Sequence, residues 1–82
     1  MSREDIDFES LEVGCEGSMV VIAQKMLNSI GYELDINGDF DEGMAQVVRD
    51  FQIDTHSLLV DGVIDAETMM AIDTAISLQQ ER

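Results

Sequence analysis

Eighty-two residues set the size of one small domain, so thin in its core that most apolar positions are needed inside it. Eighteen acidic against four basic side chains give a formal net charge of −14, which excludes direct binding to nucleic acid or to an anionic membrane, because phosphates would be repelled. A single cysteine, Cys15, excludes an internal disulfide framework, and no apolar run approaches the roughly 18 residues of a membrane-spanning helix.

Residues 1–10 read as a loose acidic N-terminal segment in which only Ile6 and Phe8 are able to dock. They lack the apolar stretch of a secretory signal peptide. The chain as written is therefore expected in the cytoplasm, and a cell-wall location would require an excised domain or another delivery route. Gly14-Cys15-Glu16-Gly17 forms a loop. Gly17 or Ser18 then caps a helix expected to run to about residue 30, with Met19, Ile22, Ala23, Met26, Leu27 and Ile30 at helical spacing and Gly31 as its stop.

Residues 35–52 carry the clearest local pattern. Asn37-Gly38 is a turn dipeptide, Phe40 an apolar anchor, and Asp41 an N-cap whose carboxylate accepts from the first helical turn. Met44, Val47, Val48 and Phe51 follow at i, i+3, i+4 and i+7, one face of a helix over about 42–53. Residues 54–57 are a loop and 58–60 a short extended apolar patch. The unit then recurs at an offset of 24 residues: Asp61-Gly62 for Asn37-Gly38, Ile64 for Phe40, Asp65 for Asp41, Ile72 for Val48. A third helix is expected over about 66–78, carrying Thr68, Met69, Ile72, Ala75 and Ile76, before a frayed tail at 79–82. The same step backwards reaches Gly14. Gly14, Gly38 and Gly62 thus mark three loop-plus-helix units within a domain at 11–78, and the fold class is all-α, a compact three-helix domain.

The candidate chemistry is sparse. Asp35, Asn37 and Asp39 copy the opening of an EF-hand loop, but Phe40 stands where the sharp turn needs Gly and Gln46 where a bidentate Glu belongs, so no metal is expected. His56 lies beside Asp54 and Ser57, yet nothing resembling a nucleophile elbow surrounds Ser57. Cys15 reads as a partly buried small side chain rather than a nucleophile, and one His with one Cys cannot complete a zinc site. The six Met residues read as core filling. No catalytic residue and no cofactor is expected, and the chain is not expected to be an enzyme. Gln24 and Gln52 sit at helical positions where each amide is able to bond the backbone of a neighbouring glycine turn. As structural clamps, loss of Gln52 to Leu should cost about 1–2 kcal/mol.

The ordered set Leu11, Gly14, Gly17, Ala23-Gln24, Leu27, Gly31-Tyr32, Asn37-Gly38, Phe40, Phe51-Gln52, Asp61-Gly62 and Thr68 resembles the peptidoglycan-binding domains found beside bacterial cell-wall hydrolases. The resemblance covers about residues 11–76. It departs at Asp41-Glu42 and Asp65-Ala66, where the family usually has Gly, and at Met44, where it usually has Thr. It implies a non-catalytic module that anchors to peptidoglycan through a shallow surface near the loops. Tyr32, Asn37, Asp39 and Asp61 would be its polar contacts, their carboxylates meeting the free amino group of a stem peptide. The structural positions would be Gly14, Gly38, Gly62, Gln24, Gln52, Phe40, Phe51 and Thr68. The acidity offers an alternative: a module that keeps the fold and binds a basic protein partner.

Overall fold

The computed structural model describes residues 10–55 and 59–80. Ile6, Phe8, His56, Ser57 and Leu58 therefore lie outside the described residues, as do residues 81–82. Three helices carry the regular structure: α1, Ser18–Ser29; α2, Glu42–Thr55; and α3, Ala66–Gln80. Among the described residues there is no strand, only two isolated antiparallel bridges, Leu11 with Ile64 and Glu16 with Asp39. The domain is the all-α, three-helix type that the sequence pattern implies.

Helices α2 and α3 begin alike. Asp41 Oδ1 accepts the Met44 N–H at 2.9 Å, and the Asp41 carbonyl accepts the Ala45 N–H at 2.9 Å. Asp65 repeats this with Thr68 at 2.9 Å and Met69 at 2.8 Å. Glu42 and Glu67 add negative charge to the two first turns, where the exposed N–H groups favour it. Helix α1 starts differently. Gly17 holds its N-cap position at φ 118° with no side-chain bond, and the Gly17 carbonyl takes the Val20 and Val21 N–H groups. Its end is a Schellman turn: Tyr32 N–H bonds the Leu27 carbonyl and Gly31 N–H the Asn28 carbonyl, with Gly31 at φ 106°.

The core joins Val20, Ala23 and Leu27 of α1, Met44, Ala45, Val48 and Phe51 of α2, and Ile72 of α3 to the loop residues Leu11, Phe40 and Ile64. Removing each larger side chain from water contributes about 1.5–3 kcal/mol. Phe40 and Ile64 are the same anchor in successive units, and segment 11–17 laces both down. Leu11 exchanges two 2.9 Å backbone bonds with Ile64. Gly14 N–H donates to the Phe40 carbonyl, Phe40 N–H to the Cys15 carbonyl, and Gly17 N–H to the Gly38 carbonyl, all within 3.0 Å. The first unit acts as a strap across the other two and is looser than they are: Gly14 is exposed, whereas Gly38 and Gly62 are buried.

Three local expectations change. The inward face of α1 is rotated: Val20 and Gln24 are buried, while Met19 and Ile22 are 45% and 46% exposed. Polar Gln24 points inward because loop backbone groups receive it, and the apolar stripe turns outward to accommodate it. Helix α3 continues to Gln80, and Gln79 Nε2 donates to the Ser29 carbonyl at 2.7 Å, so residue 79 is docked rather than frayed. In the 58–60 patch, Leu59 is 78% exposed and is not part of the core.

Candidate functional site

Loop 37–39 is held by one buried side chain. Gln24 is 1% exposed, and its Oε1 accepts the N–H groups of Asn37 at 3.0 Å and Gly38 at 2.9 Å. Its Nε2 donates to the Asp39 carbonyl at 3.0 Å and to Asn37 Oδ1 at 3.2 Å. Asn37 Oδ1 also accepts the Asp39 N–H at 3.0 Å, closing an Asx turn. Gly38 is required twice over: its φ is +84°, and a Cβ there would lie 3.2 Å from Val21 Cγ2. The loop thus presents the Asn37 amide NH2 and the Asp39 carboxylate on a rigid frame.

Two clefts flank this loop. One, of about 230 Å³, lies between segment 33–37 and the start of α2; Glu33, Asp35, Asn37 and Asp41 line it with Leu34 and Met44. The other is shallower, about 460 Å³, and is lined by Glu16, Gly17, Val21, Asn37, Gly38 and Asp39. Asn37 borders both. Glu16 and Asp39 face each other across the antiparallel bridge, where side chains lie roughly 5 Å apart at Cβ and like charges destabilise.

The other two polar contacts named from sequence are elsewhere. Asp61 sits in the second copy of the turn, its Oδ1 accepting Gln52 Nε2 at 3.1 Å and the Val63 N–H at 3.0 Å. Tyr32 lies between the ends of α1 and α2. Its hydroxyl donates to Asp54 Oδ2, and its ring meets Phe51 edge-on at 6.0 Å. Burial, first, and then the Asp54 hydrogen bond and the charges of Asp54 and Asp50 push the phenol up to about 12. The structure therefore groups Asn37 with Asp39 and sets Tyr32 and Asp61 in other contacts. Glu16, Val21 and Glu33 line the clefts without a sequence signal, since only the tertiary pairing of segments 11–17 and 37–40 brings them there.

Among the described residues no group of three or more His, Cys, Asp and Glu is disposed to hold a metal ion. Within the EF-hand-like stretch, Asn37 Oδ1 accepts from Gln24 and Asp39. Cys15 is half-buried against the core. No described helix is long and apolar enough to cross a membrane.

Comparison with known proteins gives these residues a context. The family model for the peptidoglycan binding domain matches residues 16–72, well over half of the chain. Among solved structures, the SleB N-terminal domain is similar at 29% identity and a TM-score of 0.76, over 83% of this chain and 93% of that one. The fused Zn-dependent amidase/peptidase/peptidoglycan-binding domain-containing protein of Clostridium acetobutylicum is 32% identical with a TM-score of 0.75, over 79% of this chain. The endolysin of Burkholderia phage AP3 is 30% identical with a TM-score of 0.73, over 78% of it. This chain spans only 29% of the Clostridium protein and 24% of the endolysin. No curated protein matches it. With the family model spanning both clamped turns and all three helix starts, the chain belongs to the peptidoglycan binding domain family.

Proposed function

We propose that this chain is a non-catalytic anchor that holds to cell-wall peptidoglycan, gripping glycan or stem peptide at loop 37–39 and its two flanking clefts. Family membership supports the ligand class. The observation that carries the site is Asn37: it borders both clefts while its backbone N–H and side-chain oxygen are fixed by buried Gln24. A loop already ordered this way loses little conformational freedom on binding. Such a role puts the working location at the cell wall. The hydrolytic chemistry named for the larger Clostridium protein belongs to that protein.

Co-sedimentation with purified insoluble peptidoglycan, in low and moderate salt, tests the reading. Saturable retention is expected, reduced at least severalfold by Asp39→Ala, whose carboxylate makes no bond that the turn needs. Absence of retention at both salts would sink it and turn attention to a basic protein partner.

A further inference from the structure

Asn37-Gly38 is the chain's single Asn-Gly dipeptide, and that pair carries a reaction of its own. The glycine nitrogen, once deprotonated, attacks the amide carbon of the preceding asparagine side chain. A new N–C bond closes a cyclic succinimide, and the side-chain NH2 leaves with the proton as ammonia. One water then opens the ring, giving either aspartate or isoaspartate, in which the backbone runs through the former side chain. Glycine favours the attack because it has no side chain to hinder the approach. The other asparagine, Asn28, precedes Ser29 inside α1, where the helical ladder fixes the next peptide.

In the folded chain Gln24 holds every group that this reaction needs. Its Oε1 accepts the Asn37 N–H at 3.0 Å and the Gly38 N–H at 2.9 Å, so the proton that must leave is engaged by an acceptor that is not a base. Gln24 and Gly38 are both buried, which keeps hydroxide from that proton. The Gly38 carbonyl is tied as well, accepting the Gly17 N–H at 3.0 Å. One feature works the other way. Asn37 Oδ1 accepts from Gln24 Nε2 at 3.2 Å and from the Asp39 N–H at 3.0 Å, and two donors there would steady the oxygen as it gains charge during attack. The nitrogen decides the balance, because without a deprotonated Gly38 there is nothing to attack. The nearby carboxylates of Glu16 and Asp39 further disfavour an anionic nitrogen.

The second turn shows how the product would sit. Asp61-Gly62 stands where Asn37-Gly38 does. Gln52 Oε1 accepts the N–H groups of Asp61 at 3.1 Å and Gly62 at 3.0 Å, and its Nε2 donates to the Val63 carbonyl at 3.0 Å and to Asp61 Oδ1 at 3.1 Å. Asp61 Oδ1 also accepts the Val63 N–H at 3.0 Å, as Asn37 Oδ1 accepts that of Asp39. An aspartate thus makes every bond at this position that an asparagine makes. Isoaspartate adds a backbone carbon and separates the two N–H groups that one glutamine oxygen accepts together. The second turn is itself the less reactive copy. An ionised carboxylate resists attack, and Arg49 lies across Gly62, its Nη1 2.9 Å from where a Cβ would be, whereas Gly38 has only Val21 Cγ2 at 3.2 Å.

We propose that Asn37 is a self-modification site whose rate is set by the Gln24 clamp. Closed, the clamp suppresses the reaction; each opening of loop 37–39 permits it. The aspartyl product keeps the turn and adds one negative charge to the chain's −14, at the residue that borders both clefts. The isoaspartyl product breaks the clamp. This chemistry is independent of what the clefts bind.

The test incubates the full chain in mildly alkaline buffer, folded and in guanidinium chloride that unfolds it. Peptide mass spectrometry follows conversion at Asn37 and separates aspartate from isoaspartate by electron-transfer fragmentation. Conversion is expected in the unfolded chain and should be slower by at least about tenfold in the folded one, where only open loops react. Gln24→Leu should bring the folded rate toward the unfolded rate. Gln52→Leu, the more destabilised variant, should stay closer to the wild type, which separates the clamp from global stability. A measurement on the wild type serves if Gln24→Leu does not fold. Across sub-denaturing guanidinium the Asn37 rate should rise in step with hydrogen exchange at the Gly38 amide, since both need that proton freed. Asn37→Asp should keep the slow exchange of Gly38. Equal rates in folded and unfolded chains, no conversion in the unfolded chain, faster conversion in Gln52→Leu than in Gln24→Leu, or a rate unrelated to Gly38 exchange would each overturn the proposal. Loss of Gly38 protection in Asn37→Asp would overturn the claim that the aspartyl product keeps the turn.

Discussion

The two clamped turns have the same backbone and differ in what lies over them. Loop 37–39 is bounded by open clefts; loop 61–63 has an arginine across its glycine and a third helix tied into its clamp. Gln52 Nε2 also donates to Thr68 Oγ1 at 3.2 Å, a side chain 2% exposed, whereas the extra neighbour of Gln24 Nε2 is the weak acceptor Met44 Sδ at 3.6 Å. Both clamps are buried, so the difference is one of ties: a device that closes a turn serves the turn alone at one copy and also holds a third helix at the other.

The largest effects should come from the clamps themselves. Gln52→Leu leaves the Asp61 and Gly62 N–H groups, the Val63 carbonyl and the Thr68 hydroxyl without their partner, and should lower stability by about 3 kcal/mol. That exceeds the value expected from sequence because the Thr68 bond was not visible there. Gln24→Leu, whose loop is more open to water, should cost about 2 kcal/mol. Urea unfolding of both variants decides it. Equal losses, or a larger loss for Gln24→Leu, would contradict the view that the second copy is the more deeply integrated.

The glycines sharpen the comparison at smaller scale. Both hold positive φ, +84° at Gly38 and +77° at Gly62, so an alanine at either should cost about 1–2 kcal/mol from the backbone alone. The added methyl then meets different neighbours. At Gly38 it meets β-branched Val21, stiff at χ1; at Gly62 it meets the end of a flexible arginine able to swing away. Gly38→Ala should therefore be the worse by about 0.5 kcal/mol, and Val21→Ala should remove that excess in a double-mutant cycle. Additive behaviour of the pair would mean that Val21 does not constrain the turn.

Much of this frame was legible because it is local. The turn, anchor and cap of residues 37–41 and 61–65 follow from what Asn, Asp and Gly do to adjacent backbone, and such signals do not depend on the rest of the fold. The burial of α1 is legible only in part, for the opposite reason. Gln24 reads as a clamp on a glycine turn, but periodicity alone keeps Met19 and Ile22 on the inward face, and seating Gln24 against backbone groups 13 and 14 residues away turns them to the surface. The site divides along the same line. Asn37 and Asp39 stand out in the chain, while Glu16 and Val21 join them only through the bridge that pairs the strap with the loop. Asp61 reads like Asn37 and closes its turn in the same way. The Arg49 that distinguishes the two turns comes from the preceding helix, at a position where it would pass for an ordinary surface charge.

The smallest predicted effect concerns Tyr32, which fastens the end of α1 to the end of α2 and so couples the first unit to the second. Its phenol is raised from the ordinary 10.0 to about 12 by burial and by the carboxylates of Asp54 and Asp50. Below pH 10 the phenol is protonated in both folded and unfolded chains, and the contribution of its Asp54 bond is fully present. Between pH 10 and 12 the unfolded chain releases the proton while the folded one keeps it, so stability must fall as pH rises through that window. Thermal melts of the wild type and of Tyr32→Phe between pH 9 and 12 should show this. The wild type should start higher at pH 9, and the gap should shrink as pH rises, because Phe has no proton to lose. A constant gap across the window would mean that Tyr32 contributes through its Phe51 contact alone. The two units would then be joined at that end by ring packing and not by the hydrogen bond.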